Sequence, residues 1–243
     1  MLNIRLKFNQ LLSTSPIKQR CLLCASHDSE EVGLCNACLN SLPWHSAPQC
    51  PQCGLTTPIA HATCGSCLSS PPAFDATYAL FSYDFPIDRM LQHYKYNNSL
   101  HLAHTFATLL HYEKIGKQSS QSNIDLIIPM PMHPARLKER GFNQALEIAK
   151  ILSKSMQIKL DYTSCRRTKY TPPQASLPLK ERIKNIHGVF HCQKNLQGLK
   201  VAIVDDVMTT GASLNELAKM LKQAGAEHIE CWAIARTLPK PLN

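Results

Sequence analysis

The sequence predicts an α/β protein with a parallel sheet and a small N-terminal cysteine-rich module. Three observations carry that reading. Apolar runs at residues 125–129 (DLIIP), 201–204 (VAIV) and 228–237 alternate with helical stretches, the order that builds parallel strands. Eight of the eleven cysteines fall in C-x-x-C pairs near the N-terminus. The segment VAIVDDVMTTGASL, residues 201–214, joins a buried strand to two acids, a small-residue turn and a helix.

With 243 residues and 44% hydrophobic content, the chain can fill one α/β core and a smaller module, which excludes a disordered protein. Apolar runs fall far short of the roughly 18 residues of a membrane span, and MLNIRLKFNQLL lacks an export block. No stable membrane span and a cytoplasmic location are expected. Leu2, Ile4, Leu6, Phe8, Leu11 and Leu12 suit either a peripheral anchor or a segment packed on the core, and their role stays open.

The formal charge of +9 is concentrated: residues 133–200 hold 14 Lys and Arg against 4 Asp and Glu. Such a segment suits a polyanion, either a pyrophosphate or a nucleic-acid backbone.

The cysteines repeat in register. Cys21/Cys24 and Cys35/Cys38 are separated by ten residues, and the pattern returns 29 residues later as Cys50/Cys53 and Cys64/Cys67. Each pair can present two thiolates from one tight knuckle, and two knuckles complete a closed tetrahedral zinc site. Two structural zinc ions are expected, with one per repeat favoured and a cross-braced pairing open. Without an export signal, disulfides are not the expected use of these thiols. Cys165, Cys192 and Cys231 stand singly and are read as buried or unreactive.

After the module, Pro71-Pro72 marks a boundary, giving expected domains at 1–72 and 73–243. An extended segment is expected at 78–83, helices at 87–94 and 102–112, and a polar linker at 119–123. The strand at 125–129 is followed by the loop PMPMHPARLKERGFNQA, a helix over 143–156 and a strand near 160–165. Residues 166–188 form a long polar span with Pro172, Pro173 and Pro178, the kind of span that a compact domain keeps as a functional lid.

In the acidic segment, a strand over 201–204 places Asp205 and Asp206 at its carboxyl end, where ligands of open parallel sheets gather. Thr209, Thr210, Gly211, Ala212 and Ser213 follow as a turn whose amides and hydroxyls can converge on a phosphate at a helix N-terminus. This order suits a sugar phosphate. It resembles the PRPP-binding signature of the type I phosphoribosyltransferases, which implies that the acids hold the ribose diol and the T-T-G-A-S loop wraps the 5-phosphate. That assigns PRPP to Asp205, Asp206, Val207, Met208, Thr209, Thr210, Gly211, Ala212 and Ser213.

Taken with the eight cysteines, further residues resemble the ComF family of competence proteins (ComFC/GntX-like) over nearly the whole chain. They are Lys95-Tyr96, Pro129 and Pro131, Arg140-Gly141-Phe142-Asn143-Gln144, Arg167-Thr168, Gln174, Leu177, Arg182, Asn185 and Phe190. The resemblance implies a double zinc ribbon on a phosphoribosyltransferase-type parallel-sheet fold that serves DNA uptake and natural transformation. Residues 170–173, YTPP, depart from the family's T-x-x-Q spacing, so carry-over within that loop is weakest.

Two function classes follow. In the first, a PRPP-dependent transferase, Asp205 and Asp206 hold the ribose, Arg140 neutralises departing pyrophosphate, and magnesium bridges pyrophosphate and diol. In the second, a single-stranded nucleic-acid binding module or PRPP sensor, Arg166, Arg167, Lys169, Gln174 and Arg182 follow the backbone while Phe142, Tyr170 and Phe190 stack on bases. Partners expected under either are PRPP, single-stranded DNA and other competence or DNA-processing proteins.

Overall fold

The computed structural model describes residues 20–97, 99–116, 123–170 and 186–239. Residues 1–19 and the loop residues Gln174 and Arg182 lie outside them. The chain divides into two compact units, Met1–Ser41 and Leu42–Asn243. In the first, helix α1 (Asn36–Asn40) begins directly after the ligand pair's Cys35. Leu34, Val32 and Cys21 form its buried centre.

The second unit contains the other ribbon and a five-stranded sheet. Its elements are α2 (Gly65–Ser69), β1 (Ala76–Ser82), α3 (Ile87–Tyr96), α4 (His101–Gly116), β2 (Leu126–Pro129), α5 (Pro134–Arg140) and α6 (Gln144–Met156). They continue with β3 (Lys159–Leu160), β4 (Cys165–Arg167), β5 (Phe190–Cys192), β6 (Lys200–Met208), α7 (Ala212–Gln223) and β7 (His228–Arg236). Compactness groups the second ribbon with the sheet, whereas the boundary expected at residue 72 follows composition. The reason is packing: Cys50, Cys53 and Cys67 share a buried cluster with Phe74, Ala79, Ile203 and Ala233.

The sheet order is β1-β7-β6-β2-β3, parallel throughout. Both faces are covered, so β2 and the first half of β6, residues 201–204, read as unbroken apolar runs and not as alternation. Helix α7 buries Leu214, Leu217, Ala218 and Leu221 along one stripe, and α6 buries Ile148, Ala149 and Leu152 in the same spacing. From β2 the chain winds outward to β3, and from β6 it winds the other way to β7. The strand order therefore reverses between β2 and β6, the crevice where open α/β sheets take ligands.

Three expectations change. The acidic strand continues to Met208, past the acids, because β7 keeps pairing with it through Met208↔Arg236. The other neighbour, β2, stops at Pro129↔Val204, so the acids lie beyond the end of β2 and open onto its crevice. The single strand expected near 160–165 is two short ones. Asp161 interrupts it by accepting from Thr163 N (3.1 Å) and Ser164 N (3.0 Å), an Asx turn. After that turn, β4 pairs with β5 in a separate antiparallel ribbon at the base of the long loop. Cys165 and Cys192, read as single, face each other there. The stretch expected as a loop after β2 contains helix α5. Its start is set by Pro134 at the first turn and by His133 Nδ1 accepting from Ala135 N, and Gly141 at φ 84° ends it.

Candidate ligand pocket and metal centres

The four sulfurs of Cys21, Cys24, Cys35 and Cys38 lie within 4.8 Å of one another, and so do those of Cys50, Cys53, Cys64 and Cys67. Sulfur–sulfur separations are 3.6 Å for Cys24–Cys35 and 3.5 Å for Cys53–Cys64. Tetrahedral zinc with Zn–S near 2.3 Å needs about 3.8 Å, so both sets fit the metal. The four-sulfur sets therefore form within each repeat, where each would hold one zinc, and the cross-braced pairing is excluded. Four sulfurs leave no ligand position for water, which makes the sites structural. The nearby His45 is buried against the Gly54 carbonyl at 2.7 Å, a packing role and not ligation.

At the carboxyl ends of β2 and β6 lies a cavity of about 230 Å³. Its floor is Asp205 and Asp206. Its basic wall comes from three elements: Lys95 at the end of α3, Arg136 and Arg140 on α5, and Arg167 on β4. Ser213 in the first turn of α7 closes one side, with Met130, His133, Gln144 and Tyr170 completing it.

The electrostatics are closely set. Lys95 Nζ is 2.9 Å from Asp206 Oδ2, and Asp206 N donates to Asp205 Oδ1 at 2.9 Å. Burial, together with the neighbouring Asp206 carboxylate, pushes Asp205 up to about 8. Lys95 is itself desolvated, yet the facing Asp206 holds its amine above the ordinary lysine value. Burial and the nearby Arg136 lower the Arg167 guanidinium, while Asp205 opposes the shift. Arg140 Nη1 donates to Gln144 Oε1 at 2.7 Å, and its guanidinium carbon is 5.3 Å from the Tyr96 ring centroid.

The loop itself is tight. Gly211 has φ 77°, a left-handed conformation that favours glycine, and a Cβ there would also come within 2.8 Å of Met208 Cε and push that flexible side chain aside. Thr210 Oγ1 accepts from Ala212 N, the first amide of α7, and the N-cap residue Gly211 has no side chain to cap the amides that follow.

Of the residues expected to take ligand, Asp205, Asp206, Arg140, Arg167 and Ser213 line the cavity. Thr209, Thr210, Gly211 and Ala212 form the adjoining loop, and Met208 is buried beneath it. Val207 is a half-buried strand residue paired with Ala235. Arg166 and Lys169 are exposed outside the cavity. The proposed stacking aromatics separate: Phe142 packs 5.5 Å from Tyr94 and Phe190 is buried beneath Arg167, whereas Tyr170 remains 43% exposed.

A family model described as a phosphoribosyl transferase domain matches residues 142–241, and one described as a double zinc ribbon domain matches residues 16–68. Over 223 residues the chain is 32% identical to competence protein F of Haemophilus influenzae, covering 89% of this chain and 96% of that one. The chain belongs to the competence protein F family. It is 30% identical over 208 residues to the DNA utilization protein YhgH of Escherichia coli K12, covering 85% and 91% of the two chains. Competence protein ComFC of Bacillus subtilis is 23% identical over 227 residues, covering 84% and 89%. Among solved structures, the purine phosphoribosyltransferase from Pyrococcus horikoshii is 18% identical with a TM-score of 0.34, covering 69% of this chain and 93% of that one. In this competence protein F relative the parallel sheet is thus a phosphoribosyltransferase fold carrying two four-cysteine zinc sites.

Sequence reasoning gave no site role to Lys95, Arg136, His133 or Gln144. Lys95 and Gln144 carried a signal through the motifs HYKYNN and RGFNQ, and His133 and Arg136 only as members of the basic segment 133–200.

Proposed function

We propose that this protein binds PRPP in the cavity between β2 and β6 and serves DNA uptake, transferring the phosphoribosyl group to an acceptor. One observation carries the reading: two carboxylates meet four basic side chains and the Ser213 end of the small-residue turn in a single crevice. The ribose diol hydrogen-bonds to Asp205 and Asp206, and the 5-phosphate sits on the amides of residues 209–213. Lys95, Arg136, Arg140 and Arg167 meet the pyrophosphate, whose charge no neutral pocket would hold. Gln144 Nε2, buried with no acceptor among the described residues, points to a polar occupant of the same wall.

The donors present are carboxylate oxygens, the hard class that magnesium takes, so the residues fit that ion. Magnesium would neutralise pyrophosphate as it leaves. The chain's own part is to orient the ribose through the acidic pair and to stabilise departing charge through Arg140 and Arg167.

The relatives' names, competence protein F and DNA utilization protein, support a role with incoming DNA. Single-stranded DNA as partner is favoured by exposed Arg166, Lys169 and Tyr170 beside the cavity. Calorimetry with PRPP and magnesium, with single-stranded DNA, and with both tests the reading. Saturable PRPP binding, with pyrophosphate released on adding an acceptor, is the expected result. DNA binding without PRPP binding would replace the transferase with a nucleic-acid module, and PRPP binding without release would replace it with a sensor.

A further inference from the structure

Arg236 closes β7 and is 3% exposed, yet it forms no part of the ligand cavity. Its Nε donates to the carbonyl of Cys53 at 2.9 Å, inside the second zinc knuckle. Its Nη1 donates to the carbonyls of Met208 (3.0 Å) and Thr209, where the phosphate loop leaves β6, and to that of Thr237. One planar guanidinium therefore bridges a zinc ligand residue and the root of the loop.

The surroundings are shaped for this bridge. Gly54 has φ 67°, and a Cβ there would lie 4.0 Å from Arg236 Cδ and 3.2 Å from Thr77 Cγ2. Thr77 Oγ1 donates to the Gln52 carbonyl in the same knuckle. A second tie runs in parallel, from Ala73 N, just after the ribbon, to Asn215 Oδ1 in the first turn of α7 at 2.7 Å. The four carbonyls that accept from Arg236 are neutral, so its buried charge needs compensation from elsewhere. A zinc ion with four thiolates carries two negative charges, and the second site supplies them beside the guanidinium.

We infer that Arg236 is a positioning residue through which metal occupancy of the second zinc site, and not the first, sets the geometry of the phosphate loop. Loss of that zinc frees the knuckle that holds Cys53 in place, and with it the carbonyl on which Arg236 Nε is anchored. The bond to Cys53 O weakens, and the root of the loop at Met208 and Thr209 is released. PRPP as the loop's ligand rests on the function proposed above; the link between metal and loop does not.

The test uses the full-length zinc-loaded protein and hydrogen exchange followed by mass spectrometry. Stripping zinc with a chelator should raise exchange at residues 208–213 in step with residues 50–67 and independently of residues 21–38. In Arg236→Lys, which keeps the charge but loses the fork, both zinc ions should remain while residues 208–213 exchange faster before any chelator is added. By linkage, saturating PRPP should tighten zinc binding at the second site by about tenfold, within the usual range of such couplings, and leave the first site unchanged. Loop exchange that ignores loss of the second zinc, or that is unchanged in Arg236→Lys, overturns the inference whether or not PRPP binds. Failure of wild-type protein to bind PRPP, with the exchange pattern as expected, overturns the ligand reading alone.

Discussion

Lys95 Nζ, from the last turn of α3, sits 2.9 Å from Asp206 Oδ2 on β6. The amine covers one oxygen of the acidic pair and reduces the repulsion between two carboxylates linked through Asp206 N and Asp205 Oδ1. An acidic pair set into a partly buried crevice is tolerable because this cation faces it.

Replacing Lys95 with Met should therefore lower stability by about 2 kcal/mol, the scale of a charged hydrogen bond. Combining it with Asp206→Asn should cost less than the two single changes together, since each has already removed the same pair. Urea unfolding of the four proteins measures this, and strict additivity would mean that the two side chains do not interact in solution.

Asp205→Asn with Asp206→Asn should weaken PRPP binding strongly and leave two zinc ions per chain. Losing a charge-assisted hydrogen bond at Asp206, worth about 1.5–3 kcal/mol, and a neutral one at Asp205, worth about 0.5–1.5 kcal/mol, weakens binding by about one to three orders of magnitude. Calorimetry beside metal analysis checks both halves. Wild-type affinity in the folded double variant would move the ribose elsewhere.

Asp205, raised to about 8 by burial and by Asp206, also predicts a pH dependence of stability. Between the unfolded value near 3.8 and about 8, the folded state holds a proton that the unfolded state has released. Stability should thus fall as pH rises through that window and level off above it, with a slope of at most about 1.4 kcal/mol per pH unit for one proton. Unfolding curves at about pH 6 and about pH 8, where zinc thiolates stay bound, should differ in wild type and converge in Asp205→Asn. An equal difference in both would assign the slope to another group.

Metal analysis of purified protein should give two zinc ions per chain. Structural zinc contributes roughly 10 kcal/mol or more in isolated finger peptides, so chelation should unfold residues 21–38 and loosen residues 50–67. A single bound zinc would remove one of the two sites from this account.

For single-stranded DNA, exposed Arg166 and Lys169 are the expected phosphate partners, whereas Arg167 faces the cavity. Arg166→Ala with Lys169→Ala should flatten the slope of log affinity against log salt by about 0.7 for each phosphate deprived of its cation. An unchanged slope would place the DNA surface away from β4.

By itself the sequence determined whatever depends on local spacing. The doubled C-x-x-C register defined eight thiolate ligands, the apolar runs defined the parallel strands, and D-D-V-M-T-T-G-A-S announced acids and a turn before a helix. Periodicity and knuckle spacing are properties of neighbours in the chain, so they can be read along it. Tertiary structure decided which residues meet from afar. It paired the knuckles within each repeat, brought Lys95 and Arg136 to the acids, and let β7 extend β6 past the point where β2 ends. The Arg236–Cys53 bond spans 183 positions and has no local signature, because an arginine at the end of a strand looks the same in sequence whether it meets water or the knuckle of a zinc site.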